Sequence, residues 1–308
     1  MGRASRSLPL PSLEKQWSIG IYAGADLWTL RPATAADNPV MTARQVADVP
    51  ALFVADPFMV QHDGTWYMFF EVFRADTLRG DIGMATSADG LSWTYKRIVL
   101  HEPFHLSYPY VFVSNSEFYM IPETHACGEV RLYRARSFPE SWVLEQVLLT
   151  DDTFTDTSIV EFHQKWWLFT SLSGDGTLCV FHANAVGGPW IPHLRNPISS
   201  NARDRSRGAG RIVTVADRIV RVAQDCSESY GLRVNAFEIR EISETEYAEG
   251  PAQSGPLLTG SGRGWNARGM HHIDAHQVAS GRWIACVDGF RKRWMLGRRR
   301  WPQSPVAP

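Results

Sequence analysis

At 308 residues, with 44% hydrophobic composition and twelve tryptophans, the chain can bury one large core or two ordinary ones. Its 31 basic and 32 acidic residues leave a net charge of −1, which excludes a global field that would recruit nucleic acid or an anionic membrane. The four cysteines, Cys127, Cys179, Cys226 and Cys286, stand far apart without the paired spacing of a zinc knuckle or redox motif.

The opening Met1 to Pro11 carries no apolar run long enough for a signal peptide, and no later stretch is long enough for a membrane span; the default expectation is a cytoplasmic protein. Trp17-Ser-Ile-Gly-Ile-Tyr-Ala-Gly-Ala-Asp-Leu-Trp28 reads as a strand and turn. Next comes Ala55-Asp-Pro-Phe-Met-Val-Gln-His-Asp-Gly-Thr-Trp-Tyr-Met-Phe-Phe-Glu71, two alternating strands around an Asp-Gly turn, which is the signature of a β-hairpin. The segment Ile82 to Trp93 follows it, and the N-terminal stretch from Trp17 to Trp28 matches that segment almost position for position.

The hairpin then returns four times. Copies two and three run from Tyr108 to Glu123 and from Asp156 to Ser171 and keep the interval of the first; copy four, Gly210 to Gln224, lacks the opening acid; copy five, Asp274 to Asp288, is one residue shorter. Further strands follow copies one to four, as in Val130 to Arg136, Leu178 to Ala183 and Leu232 to Ile239, but not copy five. Cys179 and Cys286 fall inside predicted strands and read as small core residues. Four-stranded units repeating roughly every 50 residues indicate an all-β propeller, with five blades here. The N-terminal strands are expected to complete the fifth blade and close the ring, giving one domain over 17–300 with tails at 1–16 and 301–308. The basic runs Arg291-Lys-Arg293 and Arg298-Arg-Arg300 read as solvated faces.

Positions equidistant from a hairpin turn face each other, so Asp56 is expected opposite Glu71, Tyr108 opposite Glu123 and Asp156 opposite Ser171. The first strand of each propeller blade lines the central channel, so Asp56, Tyr108, Asp156 and Asp274 should converge on one mouth. Carboxylates crowded there push one another's pKa values apart, which suits proton transfer at a glycosidic bond. An acid at a repeat position can equally serve the repeat by capping strands or satisfying backbone donors. Arg207 and Arg211, in the Arg203 to Arg211 run that opens copy four, offer guanidinium groups to an anionic sugar or sugar phosphate, or neutralise the acids of the mouth. In His271-His-Ile-Asp-Ala-His276, alternation puts His272, Asp274 and His276 on one strand face. Two histidines and one aspartate could bind a metal, but imidazoles near acids more often form hydrogen-bonded pairs, so no cofactor is expected from these residues. Tyr108, His272 and Asp274 join the two arginines as candidate substrate-binding residues.

The motifs Ala55-Asp-Pro-Phe, Ile82 to Trp93 and Asp156-Thr-Ser-Ile resemble the five-bladed propellers of glycoside hydrolase family 43 and its invertase and levansucrase relatives. More narrowly, the run Asp56-Pro-Phe, Ser107-Tyr-Pro-Tyr, Ile121-Pro-Glu-Thr, Asp156-Thr-Ser, Gly208-Ala-Gly-Arg and Asp274-Ala-His resembles the N-terminal propeller of plant glucosamine inositolphosphorylceramide transferases and related bacterial polysaccharide-biosynthesis proteins. The first resemblance implies Asp56 as general base and Asp156 as the acid that tunes its partner. It also implies a glutamate at the opening of the fourth blade as proton donor, where this chain has Arg207-Gly-Ala-Gly-Arg211. From their hairpin positions Glu123 or Glu71 could donate instead. The same resemblance implies a calcium ion in the channel beside a fifth-blade histidine, matching His272 or His276. Two functions stay open: a glycosidase or transglycosidase, and a propeller that binds a glycan or sugar phosphate beside a partner glycosyltransferase.

Overall fold

Alternating strands around short polar turns fold the chain into five antiparallel sheets. In this computed structural model residues 12–295 are described, apart from 175, 216 and 279; the expected tail 301–308, most of the tail 1–16 and the run Arg298–Arg300 lie outside the described residues. Blade one holds Ala51–His62, Thr65–Arg74, Gly80–Ser87 and Thr94–Leu100. Blade two holds Ser107–Ser114, Glu117–Glu123, Glu129–Ser137 and Ser141–Thr150, and blade three Phe154–Phe162, Lys165–Leu172, Thr177–Ala183 and Ile191–Pro192. Blade four is built on Val213–Val215, Arg218–Asp225, Arg233–Ile242 and Tyr247–Pro251.

Blade five joins the two ends of the chain. Its inner strands are Ile273–Gln277 and Trp283–Met295, and its outer strands are Ser12–Gly24 and Arg31–Pro32. Ser12–Gly24 pairs with Trp283–Met295 along all 13 of its residues, so the expected closure is present. The likeness of the N-terminal stretch to Ile82–Trp93 has a local cause: Asp26 Oδ1 accepts the N–H groups of Trp28 and Thr29, and Asp89 Oδ1 those of Leu91 and Ser92. Each aspartate pins the turn that ends its blade's third strand.

Apolar residues fill the space between blades. Phe69 meets Trp142 edge-on at 5.5 Å, and Tyr67 meets Phe138 edge-on at 4.9 Å. Cys179 and Cys286 are buried with these residues, while Arg291, Lys292 and Arg293 are exposed. Among the described residues no helix is long and apolar enough to cross a membrane.

The channel is plugged. Tyr108 is fully buried, its hydroxyl accepting the Gly210 N–H at 2.7 Å and lying 2.8 Å from Ser158 Oγ. Gly210 itself runs alongside Ile273, and its φ of 135° together with the Ile273 carbonyl, 1.7 Å from where a Cβ would stand, admits only glycine. Below this plug Arg211 pairs with Asp274, which also accepts the Met59 N–H at 2.6 Å and lies 2.9 Å from His276 Nε2.

Candidate functional site

Each of the first three hairpins carries a bulge at the same step. Ala55 faces Glu71 and Phe58 faces Phe69, so Asp56 and Pro57 stand against Phe70 alone. Blades two and three repeat this with Ser107 opposite Glu123 and Thr155 opposite Ser171. The register expected from equal distances therefore holds from the turn to the bulge and slips by one beyond it. At the slip Asp56, Tyr108 and Asp156 take φ values of 52°, 46° and 49°, the left-handed region that non-glycine residues rarely occupy.

The slip produces a ring. On the five second strands the equivalent step holds Glu71, Glu123, Ser171, Gln224 and Asp288, all buried. Asp288 earns its place by register, because it faces Ile19 of the third strand as Glu71 faces Ile82. These side chains grip the neighbouring blade: Asp288 Oδ2 accepts the Asp56 N–H at 2.9 Å, Glu123 Oε2 the Asp156 N–H at 3.1 Å, and Ser171 Oγ donates to the Ser206 carbonyl at 2.7 Å.

In blade four the Gln224 N–H bonds the Arg207 carbonyl, which puts Arg207 at the step of Ala55 and Gly208 at the step of Asp56. A Cβ on Gly208 would stand 2.5 Å from the Asp156 carbonyl, so the glutamate that the resemblance implies has no room there. Arg207 instead pairs with Asp156 and lies 3.6 Å from Glu123. Gln224 Nε2 adds a 3.0 Å hydrogen bond to Asp156. In blade five the comparable place falls to His271 and His272. Asp274, expected at the mouth, is two residues further into the channel with Arg211, and Tyr108 is turned into the plug.

Asp56, Glu71, Glu123, Asp156 and Asp288 thus form one buried cluster with Arg207 as its permanent cation. Burial is the main force pushing Asp56 up, to about 7, with Asp288 and Glu123 adding to it and His271 opposing. Burial, then the charges of Asp56 and Glu123, raises Glu71 well above the carboxylate range. Glu123 goes the other way: burial opposes its ionisation, but His125, 2.7 Å away, and Arg207 outweigh it. Burial lifts Asp156 against the pull of Arg207. His272, fully buried, is pushed down to about 4 and stays neutral.

Beside Asp156 the cavity between blades three and four is walled by Thr155, Ser171, Arg203, Arg207, Cys226 and Tyr230. Tyr230 lies 5.0 Å from the Arg207 guanidinium and meets His271 edge-on at 5.2 Å. Trp17 stacks on His271 at 4.0 Å and meets Tyr230 edge-on at 6.3 Å.

Calcium fits this ring poorly. It needs six to eight oxygen ligands, whereas His276 is already bonded to Asp274, and the group spaced for an ion among the described residues, Asp56, His271 and Asp288, supplies two carboxylates and an imidazole.

His271, Asp288, Tyr230 and Trp17 escaped the sequence reading. Asp288 closes the fifth copy where Glu71 closes the first, a usable signal; Tyr230 and Trp17 come from outside the hairpins and carry none.

The family model described as glucosamine inositolphosphorylceramide transferase 1, N-terminal, matches residues 11–290. The chain belongs to this family. Curated members of similar sequence are glucosamine inositolphosphorylceramide transferase 1 of Oryza sativa subsp. japonica, 39% identical over 307 residues, and of Arabidopsis thaliana, 36% identical over 301. The alignments cover 92% and 90% of this chain but 41% and 39% of those transferases, so the chain spans about two fifths of their length. Among solved structures the fold is similar to the Cellvibrio cellulosa α-L-arabinanase complexed with arabinohexaose, at 14% identity, TM-score 0.57, and 79% of this chain against 95% of that one. It is also similar to a family 117 glycoside hydrolase of Zobellia galactanivorans, at 14% identity, TM-score 0.55, and 89% against 90%. At such identities the likeness to hydrolases is one of fold.

Proposed function

We propose that this transferase-family propeller recognises a glycan, in a cavity rimmed by arginine, and serves glycolipid or surface-polysaccharide assembly beside a glycosyltransferase. One observation carries the reading: Arg207 stands at the opening of blade four and spends its charge on Asp156 and Glu123, with Gly208 beside it too confined to hold an acid. Two of the acids that hydrolysis could use thus already have a partner within the protein. The wall that remains offers what sugar binding needs, an aromatic ring in Tyr230, hydroxyls in Thr155 and Ser171, and the guanidinium of Arg203, which suits an anionic sugar or sugar phosphate. The names of the plant relatives supply the context of a glycosylated inositol phospholipid.

A second reading, glycoside cleavage or transfer, draws on the contrast between Glu71, pushed up, and Glu123, held down, since carboxyl groups driven apart in this way can act as acid and base. In it Glu71 donates the proton, Asp56 is the base and Asp156 tunes them.

A glycan array followed by calorimetry separates the two. For the binding reading, Arg203→Ala should lower affinity for an anionic glycan at least tenfold, about 1.4 kcal/mol, while no glycoside in the panel is turned over. Turnover that Asp56→Asn and Asp156→Asn abolish, with glycan binding retained, would replace it with the second.

A further inference from the structure

Beyond the ring of acids, blade five continues as a two-stranded ribbon. The blade's first strand pairs with residues 283–287 and stops there, and Gly269 makes a last bridge to Phe290. Past that bridge residues 291–295 and 12–16 pair with each other, one residue opposite another without a slip. At about 3.4 Å per residue, about 17 Å of ribbon runs on past the Asp288 step.

The composition of this ribbon differs from that of the chain. Net charge over 308 residues is −1, yet residues 12–16 and 291–295 hold Lys15, Arg291, Lys292 and Arg293 against the single acid Glu14. Arg291, Lys292 and Arg293 are exposed. Charge on an open strand edge by itself serves to keep a second chain from pairing there. Trp294 does the reverse: it is 67% exposed and faces Leu13, 47% exposed, so a bare apolar pair lies among the cations. In sequence the same mixture continues in Arg298-Arg-Arg300 and Trp301, outside the described residues.

Register sets the direction of that pair. Alternate residues of a strand share a face, so Leu13 and Trp294 lie on the side of Lys15, Trp17 and Phe290. That side meets the cavity wall: Lys15 Nζ donates to the Tyr230 carbonyl at 2.5 Å, and Trp17 stacks on His271. The ribbon is therefore rooted at the rim of the cavity that Tyr230 lines.

We propose that residues 12–16 and 291–295 dock on an anionic phospholipid surface, with Trp294 and Leu13 at headgroup level and Arg291, Lys292 and Arg293 against lipid phosphates. Tryptophan beside basic residues suits the boundary between lipid and water, and each cation near an anionic leaflet adds attraction. A second copy of the ribbon would instead set like charges against like. Docking in this way holds the cavity at the level of the headgroups. The inference goes beyond the glycan reading and does not rest on it, since affinity for a soluble sugar is measured without lipid and either can fail alone.

The test mixes the full chain with vesicles of phosphatidylcholine alone or of phosphatidylcholine with about one third phosphatidylserine, and reads the bound fraction by sedimentation. Binding to the anionic vesicles should exceed binding to the neutral ones about 100-fold. Arg291→Gln, Lys292→Gln and Arg293→Gln combined should lower it about 100-fold, about fivefold for each charge. Trp294→Ala should lower it about tenfold. Both variants should melt with the parent protein, because the substituted side chains are exposed. No binding to either vesicle, equal binding to both, or binding that the variants leave unchanged would each overturn the proposal. So would a dimer in lipid-free solution that Trp294→Ala disperses, a soluble glycan whose binding needs Trp294, or an affinity for duplex DNA as high as for the anionic vesicles, which would assign the ribbon to a second copy, to sugar or to polyanions in general.

Discussion

Glu71 and Glu123 are the same residue at the same step of adjacent blades, yet Glu71 is driven toward its neutral form and Glu123 toward its anion. His125 and Arg207 lie against Glu123, whereas Glu71 is buried among other carboxylates with His105 Nε2 at 3.6 Å as its basic neighbour. This asymmetry has a measurable consequence. A carboxyl whose folded pKa lies above its unfolded value of about 4.3 keeps a proton that the unfolded chain has released, so its contribution to stability falls as pH rises through that interval. Glu71→Gln, which fixes the neutral form, should therefore melt above the parent protein at pH 8, and the difference should vanish near pH 4. A uniform offset at both values would show that Glu71 ionises normally. At this scale the sequence was informative where a residue repeats: Asp56, Asp156, Glu71 and Glu123 are legible as recurring positions, and all four meet in one cluster. It was silent on which carboxyl keeps a proton, because that depends on His125, His271 and Arg207, neighbours supplied by other parts of the chain.

Among the elements, the decisive feature is the bulge. Hairpin arithmetic located the turns and second strands of the first three blades, but an extra residue on the first strand leaves no mark in an alternating pattern when both neighbours are buried. Asp56 was accordingly expected opposite Glu71, which in fact faces Ala55. The same limit explains Asp274: its blade lacks the acid at the slip, and the residue two steps on faces Cys286 and pairs with Arg211 in the channel. Blade four departs furthest, since its first strand approaches blade five backbone to backbone at Gly210. Gly210→Ala sets a methyl group into the Ile273 carbonyl and should destabilise the protein by about 3 kcal/mol or more, read as a lower urea midpoint at unchanged slope.

For the whole molecule, the order of blades and the closure by the N-terminal strand were both readable, because a repeat that ends two strands short and begins with two spare ones has a single economical arrangement. Removing residues 1–24 should deprive blade five of its third strand and abolish the cooperative melting transition. A shortened protein that still melted sharply would show that the ring does not depend on this seam.

The hydrogen bond from Asp56 to Asp288 crosses the boundary between the first blade and the last. Of the residues around it, Asp56 is made first, and His271 and Asp288 follow only after three further blades. Blades one to four bring together Glu123, Asp156 and Arg207, but the groups set against Asp56, His271 and Asp288, come only with blade five. The surroundings of Asp56 are thus assembled last, at the seam where blade five meets blade one.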